Sequence, residues 1–181
     1  ERLLNYKTDI DATFALALVT DTFNQAKFFF ALNLDARHTL LNGIDLRVKL
    51  AGTPSHRSLY ETQQINRFIG LTQPLRYQYR SELLSEVIIE PLSGTMFTGG
   101  IQFKHVRNYT YFTRNTIVDD QQIDVTFSSY SPMFENASFF KVYASASQQL
   151  AAEKLWVSAE AFWQRPRLSG NEKIPYTEPL G

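Results

Sequence analysis

The chain has 181 residues with eighteen basic and eighteen acidic side chains, so its formal net charge is zero. That balance supplies no basic excess or stripe, and no nucleic-acid partner is expected. With no cysteine, neither a disulfide framework nor a thiolate metal site can form. Aromatic residues make up 14% of the chain, with fourteen Phe and nine Tyr, yet the mean hydropathy is slightly polar. A helical membrane span needs about 18 consecutive apolar residues. The run Phe28-Phe29-Phe30-Ala31-Leu32 is cut short by Asn33 and Asp35. Spanning strands remain allowed, because alternation averages out to mild polarity. Glu1-Arg2-Leu3-Leu4-Asn5 has neither the charged start nor the apolar core of a signal peptide.

Period two dominates the sequence. Residues 10–18 place Ile10, Ala12, Phe14, Leu16 and Leu18 on one face. Residues 28–34 do the same with Phe28, Phe30, Leu32 and Leu34, while Asn33, Asp35 and Arg37 point the other way. In residues 44–50, Ile44, Leu46, Val48 and Leu50 alternate with Asp45, Arg47 and Lys49. Between these two stretches, Leu41-Asn42-Gly43 reads as a three-residue hairpin loop with Gly in the left-handed position. That loop sets Leu40 opposite Ile44, Leu34 opposite Leu50, and Asp35 opposite Lys49.

A second hairpin turns at Pro91-Leu92-Ser93-Gly94. It pairs Ile89 with Phe97, Val87 with Gly99 and Leu83 with Phe103, and on its polar side Glu82 with Lys104 and Gln78 with Asn108. A third turns at Ala151–Lys154 between Leu150 and Leu155. It brings Val142 to Trp163, Ala144 to Ala161, Ser145 to Glu160 and Ser147 to Ser158. Each hairpin has one apolar and one polar face. Leu46, Val48, Val142 and Ala159 are expected to face lipid, and Asp45, Arg47, Lys49 and Glu160 a lumen.

The connections at 41–43, 91–95 and 151–154 are short, whereas those at 52–75 and 110–137 are long and polar. Short turns at one end and long loops at the other is the layout of outer-membrane barrels. The short connection at 21–26 is the exception. Residues 123–127 alternate as well, and are read as β-structure within the second long loop. Phe30, Tyr79 and Phe140 each lie ten positions from the turn-proximal Leu40, Ile89 and Leu150, and Trp163 lies eight from Leu155. Ten residues of tilted strand rise roughly 25 Å, the height of an apolar band, so these aromatics read as an interfacial girdle.

A soluble sandwich or lipocalin-like barrel also alternates. Strand length and the charged second face favour the membrane barrel, because the stretches at 27–40 and 94–112 exceed the usual five or six residues. No catalytic constellation is visible, so no enzyme is expected, and neither a cofactor nor a metal is assigned to any residue. His38, His56 and His105 lack metal-ligand spacing, and His38 and His105 fall in phase with the apolar faces. Gly94, Gly99 and Gly100 lack the helix and the Lys-Ser/Thr of a phosphate loop; they fit a turn and a strand opposite bulky neighbours. Glu82, Lys104, Asp35, Lys49 and Glu160 are candidates for a substrate path, with ordinary lumen charge as the alternative. Arg57, Tyr60, Arg67 and Tyr77 are ligand candidates against ordinary loop solvation.

The run Phe97-Thr98-Gly99-Gly100-Ile101-Gln102-Phe103-Lys104, then Asn108-Tyr109-Thr110-Tyr111-Phe112, resembles barrel strands of the TonB-dependent receptors of Bacteroidetes-type bacteria. So does Phe139–Phe162 with its tight turn, leading to Ile174-Pro175-Tyr176. The resemblance covers residues 90–181. It implies a barrel of about twenty-two strands, an N-terminal plug, nutrient uptake across the cell outer membrane, an inner-membrane energy-coupling partner and a surface lipoprotein. The chain shows about seven spanning strands and neither a plug nor a coupling box. The expectation is therefore all-β, an antiparallel up-and-down transmembrane β-barrel, with 1–181 a single segment of a larger barrel in contact with outer-membrane lipid. The first and last strands are then expected not to pair. Two alternatives stay open. One is a small closed barrel with a structural or adhesive role, completed by residues 123–131; the other is a soluble barrel binding a small ligand.

Overall fold

A computed structural model describes residues 7–20, 26–55, 64, 76–114, 130–150, 155–170 and 172–174. It contains seven strands: β1 (Thr8–Thr20), β2 (Ala26–Leu41), β3 (Ile44–Ser55), β4 (Gln78–Leu92), β5 (Thr95–Arg114), β6 (Tyr130–Leu150) and β7 (Leu155–Leu168). They form one antiparallel sheet in the order β1-β2-β3-β4-β5-β6-β7, so every strand pairs with its neighbour in sequence. At 12 to 21 residues, all exceed the 9–11 that a tilted strand needs to cross a bilayer. Among the described residues, β1 and β7 do not pair with each other.

The expected register is found almost throughout. Leu34 pairs with Leu50 and Asp35 with Lys49, Leu83 with Phe103 and Glu82 with Lys104, and Val142 with Trp163 and Leu150 with Leu155. Two turns are tighter than expected. The first closes at Leu41 opposite Ile44, with an irregularity between Thr39 and Leu41, so Leu40 is not the partner of Ile44. The second closes at Leu92 opposite Thr95, with a shift between Ile89 and Leu92. In both, a glycine takes the left-handed conformation that a tight hairpin demands: Gly43 at φ 76° and Gly94 at φ 80°. The turn expected at 151–154 lies outside the described residues.

The second long connection is shorter than the sequence suggests. β5 continues to Arg114 and β6 starts at Tyr130, so residues 110–114 and 130–137 are paired strand. Tyr130 and Ser131 therefore belong to β6 and not to a separate eighth strand; the other residues of 123–131 lie outside the described set, as does the alternating segment 123–127. A bulge separates this upper ladder from the lower one, between Val106 and Tyr109, with Asn108 at φ 55°. It replaces the expected pairing of Gln78 with Asn108. Gln78 instead donates to the Thr110 hydroxyl (2.9 Å), and the Asn108 amide donates to the Tyr77 carbonyl (3.0 Å).

The strand prolines sit where a ladder tolerates a missing donor. Pro54 and Pro132 lie beyond the last pair their strand makes with one neighbour, at Gly52 and Ala137 respectively. Pro166 is on β7, which has one partner among the described strands.

Burial runs inside out. Among the described residues the buried apolar side chains are Val106, Pro132, Ala137, Leu168 and Ile174, whereas Phe14, Leu16 and Phe28 are 64%, 76% and 75% exposed. Along β6 the polar-phase residues Lys141, Tyr143, Ser145 and Ser147 are half-buried, and the apolar-phase Val142, Ala144 and Ala146 are exposed. A water-soluble sandwich buries its apolar faces. This sheet covers its polar face and leaves the apolar one bare.

Candidate functional site

The chemistry of the sheet is concentrated on the covered face. Cross-strand pairing builds rows of side chains running from strand to strand. One row reads Asp9, Arg37, Arg47, Glu86, Gly100, Tyr143, Phe162 from β1 to β7. The next reads Asp11, Asp35, Lys49, Leu84, Gln102, Lys141, Gln164. Arg37 and Arg47 are direct opposites, a repulsive juxtaposition unless each finds an anion. Both do so. Arg47 donates to Asp35 through Nε (2.9 Å) and Nη2 (2.5 Å), and to Glu86 through Nη1 (3.1 Å). Arg37 donates to Asp45 at 2.5 Å, and the Thr39 hydroxyl reaches the other Asp45 oxygen at 2.6 Å.

Apart from Arg47 with Glu86, which are direct partners, these ion pairs run diagonally. Asp35 is the direct neighbour of Lys49 yet bonds to Arg47, and Glu82 is the direct neighbour of Lys104 yet accepts from Gln102 at 2.9 Å. Arg37 likewise bonds to the residue two before its direct partner. The right-handed twist of strands carries a long side chain towards the j−2 position of its neighbour, within diagonal reach. Glu160 reaches further: it pairs in register with Ser145 but in charge with Lys141, four residues away along β6, at 2.6 Å. The Lys141 ammonium lies 4.5 Å from the Phe162 ring centroid and 5.2 Å from that of Tyr143, close enough for cation–π attraction.

The belt closes through Tyr143, whose hydroxyl donates to Glu86 across β5. Glycine at position 100 makes this crossing possible, since a Cβ there would lie 2.9 Å from the Tyr143 ring. The sequence signal for it was a glycine opposite bulky neighbours. Asp35, Arg47, Glu86 and Tyr143 thus link β2, β3, β4 and β6 into one polar network. Of the substrate-path candidates, Asp35 and Glu160 are committed to ion pairs, and Glu82 to an amide.

The bare face carries the aromatic residues expected to form a girdle. Phe14 and Phe30 have ring centroids 6.0 Å apart, and Phe140 meets Trp163 edge-on at 6.2 Å. Tyr79 lies over Gly52 and donates its hydroxyl to the Phe30 carbonyl at 2.7 Å. His38 and His105 are on this face and bond to cross-strand hydroxyls, Thr8 Oγ1 at 2.7 Å and Ser138 Oγ at 3.0 Å. They occupy opposite ends of the apolar band, near the hairpin turns and near the girdle. Arg57, Tyr60, Arg67 and His56 lie outside the described residues. Tyr77 is described, with its ring 6.3 Å from Phe29. Among the described residues, no three His, Asp or Glu side chains gather as a metal site.

At the upper end of β6, Glu135 anchors the residues that follow β7. Its Oε1 accepts from the Ser169 hydroxyl (2.5 Å) and the Gly170 N–H (3.3 Å), and its Oε2 from the Tyr111 hydroxyl (3.3 Å). Leu168 N–H donates to the Glu172 carbonyl at 2.9 Å. Ile174 packs with Ala137 and Leu168, against Tyr109, Tyr111 and Phe139. Ile174 was expected on the approach to another strand; it sits in this cluster.

An up-and-down antiparallel sheet with a bare apolar face, a covered charged face and strands this long has the fold of an outer-membrane β-barrel wall. No family model and no curated protein matches the chain. A solved structure described as the copper transporter OprC is similar in fold, with a TM-score of 0.64 at 11% identity; the match covers 97% of this chain and 29% of that one. The chain thus spans under a third of the length of that transporter.

Proposed function

We propose that the chain forms part of the wall of an outer-membrane transporter of the TonB-dependent receptor type, serving nutrient uptake. Its bare face contacts lipid and its charged face lines the lumen. The inverted burial carries this reading, because so large an exposed apolar band is unfavourable in water and favourable in a bilayer. The fold likeness to a transporter supports it. The edges of β1 and β7 fit a segment of a larger barrel, since bare strand edges in lipid leave backbone groups without partners. An energy-coupling protein and a surface lipoprotein are the partners this reading implies. Copper is the cargo of the similar structure; none of the described side chains forms a cluster that would assign it here.

The chain has no native cysteine, which makes each introduced one a clean probe. Single cysteines at residues 142 to 147, in protein kept in outer membranes, should label with period two. Positions 142, 144 and 146 should react only with lipid-soluble maleimide, and 143, 145 and 147 with the water-soluble reagent. Uniform aqueous labelling of all six would sink the reading.

A further inference from the structure

The two faces differ in more than hydropathy. Every strand carboxylate below the bulge that belongs to a paired row, namely Asp9, Asp11, Asp35, Asp45, Glu82, Glu86 and Glu160, lies on the charged face. The bare face has none among the described paired residues. Below the bulge, its only full charges among the described paired residues are three arginines, Arg107 on β5 and Arg165 and Arg167 on β7. All three sit at one end. Arg165 is in the row of Phe140 and Phe103, and the next row upward on that face is His105, Ser138, Arg167. Arg107 lies opposite Tyr79. The arginines thus begin at the aromatic girdle and continue past it, on the side away from the short turns. Arg107 and Arg165 are exposed.

We infer that the exposed Arg107 and Arg165, with His105 and Ser138 between them, form a docking site for phosphate groups on lipid of the outer leaflet. This rests on the membrane reading proposed above. A guanidinium at the girdle can lay its stem on apolar surface and hold its head at headgroup depth. Its planar fork matches a phosphate bidentately, where an ammonium acts only as a point charge. With no carboxylate among its described paired residues, this face sets up no repulsion of an anionic headgroup. The charged face, by contrast, matches Arg37 and Arg47 with acids. An interface needed only for solubility would accept either sign of charge.

The test uses the purified protein in detergent and two probes, diphosphoryl lipid A and the same lipid with its phosphates removed. The phosphorylated lipid should raise the thermal midpoint and bind, whereas the dephosphorylated one should not. R107Q/R165Q should bind about tenfold more weakly for each guanidinium, the worth of one charge-assisted hydrogen bond; R107K/R165K should recover part of the loss. Equal stabilisation by both lipids, or full binding by the glutamine variant, overturns the site. A separate readout tests the membrane reading: with Trp156→Phe, Trp163 is the remaining tryptophan and should be quenched by brominated lipid. Quenching without phosphate dependence rejects the docking site alone. Absence of quenching rejects both.

Discussion

Tyr143 lies across Gly100, and a β-carbon at residue 100 would come within 2.9 Å of its Cζ and Oη and of the Ser85 carbonyl oxygen. One missing side chain on β5 therefore lets a phenol on β6 reach a carboxylate on β4. Gly100→Ala must push the ring away or bend the strand, and is expected to cost about 1–3 kcal/mol, as overpacking does. Tyr143→Phe removes the hydroxyl from buried Glu86 and should cost about 1.5–3 kcal/mol, the range for a bond to a charged group. If the ring's passage is what Gly100 serves, the two losses will not add. Denaturant titration of both single variants and the double variant measures the coupling; strict additivity would disconnect the pair.

Arg47 is the hub of the same belt, holding Asp35 at 2.5 Å and Glu86 at 3.1 Å. Replacing it with Met keeps most of the stem and leaves two carboxylates facing each other without their cation. The expected loss is about 1–3 kcal/mol, below the value for a fully buried pair because the guanidinium is 36% exposed. Adding Asp35→Asn to Arg47→Met should return part of that stability, since the second change removes an uncompensated charge. A double variant less stable than Arg47→Met by a full additive increment would show that the ion pair is not the relevant interaction.

The division into two faces was legible in the sequence because period two and the turn positions determine register together. A slip of one residue would have put Asp45, Arg47 and Lys49 among the apolar side chains. Hydrogen-bond partners were less legible. Register places Lys49 opposite Asp35, but twist hands Asp35 to Arg47, and twist is a property of the assembled sheet. The upper ladder was read as loop because Pro132 and Asn136 resemble loop punctuation. Its strand character depends on the bulge at Asn108 and on bonds such as Ser169 to Glu135, 34 residues apart in sequence.

That upper cluster has a pH dependence of definite sign. Glu135 lies five residues beyond Phe140, about 12 Å above the girdle for a tilted strand. The Ser169 hydroxyl, then the Gly170 N–H and the Tyr111 hydroxyl, stabilise its carboxylate and lower its pKa from the ordinary value, outweighing the desolvation that opposes them. Burial first, and the Glu135 charge second, raise the Tyr111 pKa. A carboxyl whose folded pKa is depressed contributes stability that is complete above its unfolded pKa and disappears as pH falls through the folded value. Amide protection at Ser169 and Gly170, corrected for intrinsic exchange, should therefore hold near neutrality and fall below the ordinary Glu range near pH 4. Glu135→Gln should lower protection at neutral pH and remove the acid-dependent step. An unchanged step in that variant would assign the titration to another group.

Adjacent residues on β6 give the strictest test of the two faces. Ala144 pairs with Gly99 and Ala161 on the bare face, and Ser145 pairs with Thr98 and Glu160 on the charged face. Both are roughly midway between the turn-proximal Leu150 and the girdle residue Phe140, so they share one depth. With the bare face in lipid, as proposed, arginine at residue 144 places its charge near the middle of the hydrocarbon, at a cost of about 2–4 kcal/mol. Arginine at residue 145 enters the polar network beside Glu160 and should change stability little. Reversible folding into lipid vesicles, followed by tryptophan emission, reads both variants under the same conditions. A water-soluble sheet would invert the order, because Ala144 would then be a solvated surface position and Ser145 a half-covered one. The sign of the difference between two neighbouring substitutions therefore decides which solvent the bare face meets.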